Sequence, residues 1–176
     1  IHIELKKSGI PVSNAYNQIE KYAHEGVFTG LFSLIQVFVA MEPEEAVYFA
    51  NPGPDGVFNK AFYFHWADFD NVPYSDWQDV VKYLLNIPMA HELIGYYTIP
   101  DGKDDTLKVM RSYQYYAARE ISAAVAAKDW KDTNILGGHI WHTTGSGKTL
   151  TSFKSAQLIV SSGMADKVVF LVDRKA

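Results

Sequence analysis

Apolar and polar residues alternate with a period of two along Ile1-His2-Ile3-Glu4-Leu5-Lys6, the pattern of a strand with one buried face. The pattern predicts a strand over Ile1–Lys7, a loop at Ser8-Gly9-Ile10-Pro11, and a helix capped by Ser13 that runs to about Gly26. On that helix Ile19, Tyr22 and Ala23 share one face, and Gln18 and Tyr22 lie one turn apart. Leu34–Met41 and Ala46–Ala50 are expected to form paired strands. Asn51-Pro52-Gly53-Pro54-Asp55-Gly56 is a dense turn signal, and Ala61–Trp66 is expected to be a further strand. Helices are expected over Asp76–Leu85 and Met89–Tyr97, separated by Pro88.

Pro100-Asp101-Gly102-Lys103-Asp104-Asp105 is polar and rich in breakers, and it marks the expected domain boundary. Arg111–Ala127 reads as a long, Ala-rich helix. Then come a short strand at Gly138–His142, a Gly-rich loop at His142–Thr149, a helix over Lys148–Ser162 and an apolar strand over Lys167–Asp173. That order is one βαβ unit, whose crossover should be right-handed. The chain shows no internal repeat and no low-complexity tract.

Composition adds three constraints. Hydrophobic residues make up 48% and charged residues 20%, enough for a packed core and too apolar for wholesale disorder. No apolar run approaches the roughly 18 residues of a membrane-spanning helix. Cysteine is absent, which excludes a disulfide scaffold and a thiolate metal site.

Charge changes the domain count. A net charge of −4 by itself argues against nucleic acid as a partner. Residues 1–100 carry 5 Lys against 12 acids, a net of −7, whereas residues 101–176 carry 11 bases against 8 acids, a net of +3. Of the 25 aromatic residues, 18 lie in the first hundred positions. A length of 176 residues suits one domain, but these asymmetries predict two structural units. The chain also opens on Ile1 within a strand pattern, so its ends are expected to cut through both units.

The most specific chemistry lies in His142-Thr143-Thr144-Gly145-Ser146-Gly147-Lys148-Thr149. Glycines at 145 and 147 permit backbone angles closed to other residues and let amides approach a polyphosphate. The following helix adds its N-terminal amides. Lys148 would reach the β- and γ-phosphates, and the Thr149 hydroxyl would meet Mg²⁺. His142 stands where the simple P-loop pattern has Gly. Val168–Val172 ending on Asp173 has the form of a Walker B strand, but Asp173 follows Lys148 by only 25 residues and no second acid follows. It is therefore read as the next strand of the sheet.

At the other end, Glu4 and Lys6 are one residue apart on a strand and so share a face. A carboxylate that binds Mg²⁺ beside an ammonium suits water activation against a phosphodiester. A solvated salt bridge uses the same residues. The Gln18-Ile19-Glu20-Lys21-Tyr22 segment adds two polar groups on one helical face near the end of the strand. His65, within Phe62–Trp66, is read as structural because no cluster near it has ligand spacing.

Together His139–Thr151 and Val168–Arg174 resemble motifs I and Ia of the restriction (R) subunit of type I restriction–modification enzymes, in which His occupies the variant P-loop position. Arg111-Ser112-Tyr113-Gln114 resembles the Q motif of superfamily 2 helicases. Glu4, Lys6, Gln18 and Tyr22 match the E-x-K and Q-x-x-x-Y elements of that family's nuclease in order and spacing. The resemblance implies an α/β chain: residues 1–103 as the C-terminal part of a PD-(D/E)xK nuclease domain, and residues 104–176 as the start of a RecA-like P-loop motor. It implies Glu4, Lys6, Gln18 and Tyr22 as catalytic residues, with the Leu5 carbonyl assisting Glu4 at the metal. It implies Gln114, Thr144, Gly145, Ser146, Gly147, Lys148 and Thr149 as the ATP site, with Glu4 and Thr149 toward Mg²⁺. The implied activity is ATP-driven translocation of double-stranded DNA with Mg²⁺-dependent cleavage. The implied partners are modification and specificity subunits in the cytoplasm, with no membrane association.

The nuclease pattern also needs an Asp upstream of Glu4, and the motor needs a Walker B acid pair and a second lobe, none of which this sequence contains. The chain alone is therefore expected to be inactive. Two other readings stand beside this one: a type III-like translocase–nuclease, and a nucleotide-binding module in which Glu4 and Lys6 form only a salt bridge.

Overall fold

The amino-terminal alternation forms β1 (His2–Leu5), and α1 (Val12–His24) follows it. The computed structural model describes residues 1–53, 56–103, 105–129, 131 and 137–171, in two compact units, Ile1–Tyr113 and Gln114–Ala176. Both helices and strands are present, as a mixed α/β chain requires.

In the first unit, β2 (Val37–Glu42) and β3 (Glu45–Ala50) form the expected hairpin, turning through Pro43-Glu44. The sheet order is β1-β2-β3, with β1 parallel to β2 and β3 antiparallel to it. Central β2 is buried on both faces, which is why it reads as a continuous apolar run. Val12, Ala15 and Ile19 of α1 cover one face and pack on Phe38, Ala40, Val47 and Phe49. Removing a ring such as Phe38 from this core would cost about 3–5 kcal/mol. The opposite face buries Tyr48, which meets Trp66 edge-on at 5.6 Å between ring centres.

Two expectations fail here. Ser13 lies inside α1, and the position before the helix is Pro11, whose carbonyl accepts from the Asn14 amide at 2.9 Å. The proline ring fixes φ at a value compatible with helix entry, and no side chain caps the first turn among the described residues. Ala61–Trp66 is not a strand: Asn59 caps a short 3-10 turn over Lys60–Phe62, and only Phe64 then bridges to Tyr48. The Asn59 side chain offers the Ala61 amide a local partner in place of a ladder.

The helices α2 (Trp77–Tyr83) and α3 (Met89–Gly95) lie within their expected spans. β4 (Thr98–Asp101) and β5 (Thr106–Val109) form an antiparallel hairpin, so the breaker-rich stretch after Pro100 holds a tight turn. Lys103 donates its amide to Asp101 there at 3.0 Å, and Lys108 pairs with the same carboxylate, holding it below the ordinary Asp range.

α4 (Ser112–Ala127) carries the chain into the second unit, where α5 (Lys148–Ser161) buries Thr151, Lys154, Ser155 and Ile159. The strands expected at Gly138–His142 and from Lys167 onward do not form among the described residues. A strand needs a ladder partner for its amides, and neither segment meets one there. Asp173 lies outside the described residues. No helix among the described residues is long and apolar enough to cross a membrane.

Candidate functional site

The first site is built on β1, at one edge of the described sheet. Glu4 registers with Ala40 on β2, and the Lys6 amide donates to the Met41 carbonyl at 2.9 Å. Backbone groups alternate in direction along a strand, so the intervening Leu5 carbonyl turns away from β2. Glu4 and Lys6 point to the same face, as their spacing requires, and are mostly shielded, with 14% and 19% of their side chains exposed.

Lys6 Nζ donates to Glu4 Oε1 at 2.8 Å and also to Gln18 Oε1. Gln18 Nε2 in turn donates to the Tyr22 hydroxyl. The four residues expected from the sequence therefore form one continuous chain of hydrogen bonds, with α1 placing Gln18 and Tyr22 one turn apart above the strand. Because Lys6 occupies only Oε1, Glu4 Oε2 has no hydrogen bond among the described residues.

His2 shares this face, two residues before Glu4, and the sequence motif gives it no role. Its Nε2 lies 3.9 Å from Glu4 Oε2 and is buried without a hydrogen-bond partner among the described residues. The ring stands edge-on to Phe28 and Phe38, at 5.2 and 6.0 Å. Burial lowers its pKa, opposed by the Glu4 carboxylate, so the neutral ring is favoured. The alternation that aligns Glu4 with Lys6 also aligns His2 and was the available signal. Among the described residues no group of three or more His, Asp or Glu side chains is arranged to hold a metal.

The second site is the loop before α5. Gly145 and Gly147 have φ of 79° and 78°, left-handed values that favour glycine. Three donors meet the Thr143 carbonyl: the Ser146 amide at 3.4 Å, Ser146 Oγ at 2.8 Å and Lys148 Nζ at 2.9 Å. Gly147 directly precedes α5, which leaves the first-turn amides facing outward. Thr144, Lys148 and Thr149 are exposed at this end. Gln114, on α4, is 4% exposed and donates its Nε2 to the Ser146 carbonyl at 3.0 Å. The residue expected to read adenine is thus docked on the loop expected to hold the phosphates.

The second unit thus presents a glycine-turned loop seated on the N-terminus of a helix. Residues 113–176 match the model of the SWI2/SNF2 ATPase family, and residues 1–56 match that of the type I restriction enzyme R protein N terminus. The chain is 37% identical over 175 residues to the type I restriction enzyme SauCOLORF180P endonuclease subunit of Staphylococcus aureus (strain COL), covering 99% of this chain and 18% of that protein. It is 38% identical over 114 residues to the C-terminal part of the putative type I restriction enzyme MpnIIP endonuclease from Mycoplasma pneumoniae, covering 62% of this chain and 55% of that one. The EcoprrI endonuclease subunit of Escherichia coli is 29% identical over 143 residues, covering 80% and 45%. The chain belongs to the family of type I restriction enzyme endonuclease subunits and spans less than a fifth of the length of the staphylococcal relatives.

Proposed function

We propose that this chain supplies one wall of the nuclease centre and the phosphate-binding face of the motor in a type I restriction endonuclease subunit. Residues 1–103 are the C-terminal part of a PD-(D/E)xK domain, and residues 104–176 begin a RecA-like motor. The whole protein, assembled in the cytoplasm with modification and specificity subunits, translocates double-stranded DNA at the expense of ATP and cleaves it. The observation that carries this reading is the Lys6 ammonium shared between the Glu4 carboxylate and the Gln18 amide, with Tyr22 closing the chain.

The residues fit Mg²⁺ at both sites. Glu4 Oε2 is a carboxylate oxygen without a hydrogen bond among the described residues, and Thr149 exposes a hydroxyl in the first turn of α5. Mg²⁺ held by Glu4 and the Leu5 carbonyl would supply Lewis acidity toward a phosphodiester and its attacking water. Lys6, fixed by Gln18, stabilises negative charge as it develops on the phosphate. Tyr22 fixes the Gln18 amide. In the motor, Lys148 exchanges its Thr143 carbonyl for phosphate oxygens, the amides of Gly145–Thr149 hold the polyphosphate, and Gln114 reads the adenine.

The test uses the full-length subunit assembled with its modification and specificity partners. Glu4→Ala should reduce DNA cleavage at least ~100-fold and leave DNA-dependent ATP hydrolysis in place. Lys148→Ala should abolish ATP hydrolysis and, with it, translocation. Undiminished cleavage by Glu4→Ala would leave Glu4 and Lys6 as a salt bridge only. The 176-residue chain alone should neither cleave DNA nor turn over ATP.

A further inference from the structure

The nuclease face carries an imidazole nitrogen that the Glu4–Lys6–Gln18–Tyr22 chain does not use. Among the described residues, buried His2 Nε2 makes no hydrogen bond, and neither does Glu4 Oε2, 3.9 Å away. That separation is too long for a direct hydrogen bond. A buried polar nitrogen left unsatisfied is costly and uncommon, so such an atom points to a ligand. The two atoms are held toward each other from both sides. Phe28 and Phe38 fix the ring, and Lys6 fixes the carboxylate through its other oxygen. Bonds of about 2.1 Å, the length that imidazole nitrogen and carboxylate oxygen make to a first-row divalent ion, reach both atoms once the two side chains close by roughly 0.5 to 1 Å toward tetrahedral or octahedral ligand spacing. The Lys6 ammonium sits on Oε1, away from the gap, and does not compete for it.

We propose that His2 Nε2 is a direct nitrogen ligand, beside Glu4 Oε2, for the divalent cation of the nuclease centre. This rests on the nuclease reading above and extends it. A nitrogen donor biases the centre toward Mn²⁺ over Mg²⁺, because Mg²⁺ prefers an all-oxygen shell and imidazole suits the transition metals.

The experiment is Mn²⁺ binding to the full-length protein, bearing Lys148→Ala and without nucleotide to silence the motor site. Electron spin-echo spectroscopy reads ¹⁴N coupling to bound Mn²⁺, and a titration gives its Kd. The unmodified nuclease centre should show histidine nitrogen coupling. His2→Leu and His2→Gln should each abolish that coupling and weaken Mn²⁺ about tenfold, with the Mg²⁺ Kd altered less than about twofold. Two replacements are used because one could disturb the Phe28–Phe38 edge; circular dichroism selects those that fold, and if both misfold, ¹⁵N-histidine labelling of the unmodified protein decides by converting the coupling. No nitrogen coupling in the unmodified centre, or unchanged coupling and Kd in a folded His2 variant, overturns the proposal. Glu4→Ala separates the two readings. If it removes Mn²⁺ binding while the His2 variants do not, only the His2 role fails; if it leaves Mn²⁺ binding unchanged, the nuclease reading fails with it.

Discussion

Gln114 and Ser146 are joined by a 3.0 Å hydrogen bond from the side-chain amide to the loop carbonyl, and this contact closes over Gly147. A Cβ added at position 147 would lie 2.4 Å from Gln114 Nε2, on a residue whose φ is 78°. Gly147→Ala should therefore both push Gln114 off Ser146 and strain the loop, by about 1–2 kcal/mol for the left-handed backbone alone. In the full-length protein, ATP affinity should fall roughly tenfold or more, read by nucleotide titration. Gln114→Ala should also weaken ATP, because it removes both the Ser146 contact and the amide proposed to read the adenine, while leaving the loop backbone unstrained.

Lys6 makes two side-chain contacts, and they separate its charge from its position. Lys6→Ala should reduce DNA cleavage by about 100-fold or more, since the ammonium acts on developing charge. Tyr22→Phe leaves that ammonium in place and removes only the hydroxyl that accepts from Gln18. Its effect should be nearer fivefold, the scale of one hydrogen bond worth about 1 kcal/mol. Cleavage assays on the assembled enzyme, with ATP hydrolysis as the control, check both; equal losses would show that Tyr22 does more than hold Gln18.

The contrast between the two units shows what a sequence encodes locally. Glu4, Lys6, Gln18 and Tyr22 were legible because a strand period of two and a helix period of 3.6 each fix side-chain direction within a few residues. α4 and α5 were legible for the same reason. His2 obeys the same alternation, but no motif names it, and its burial against Phe28 and Phe38 joins residues that the sequence does not place together. The strands around the phosphate loop were read from apolar runs, yet a strand is completed by a partner that such a run cannot specify. Ala61–Trp66 shows the opposite case: a side-chain bond from Asn59 displaces a ladder that residue preference favours.

Tyr48 is fully buried, and its hydroxyl donates to the Met110 carbonyl at 2.9 Å, tying β3 to the segment after β5. Burial pushes the phenol pKa far up, so the group stays protonated and remains a donor across the whole working pH range. Tyr48→Phe keeps the ring and its edge contact with Trp66 but leaves the Met110 carbonyl without that donor. It should destabilise the first unit by about 1–3 kcal/mol in urea unfolding, with no direct effect on ATP binding.

Lys154 is buried within α5, where its ammonium donates to Gln157 Oε1 at 2.8 Å. Desolvation lowers its pKa below the ordinary Lys value, so the folded chain holds this proton less tightly than the unfolded chain does. The sign follows from linkage: the unfolded state binds more protons, so stability rises with pH through the interval between the lowered pKa and 10.5. At neutral pH the charged form is present in both states and the burial penalty is fully felt. Lys154→Met keeps the stem and removes the charge. It should raise Tm at pH 7 and flatten the alkaline rise in stability. Thermal unfolding of the wild-type and variant proteins between pH 7 and pH 10.5 checks this, and a lower Tm for Lys154→Met at pH 7 would show that the Gln157 contact outweighs the desolvation of the ammonium.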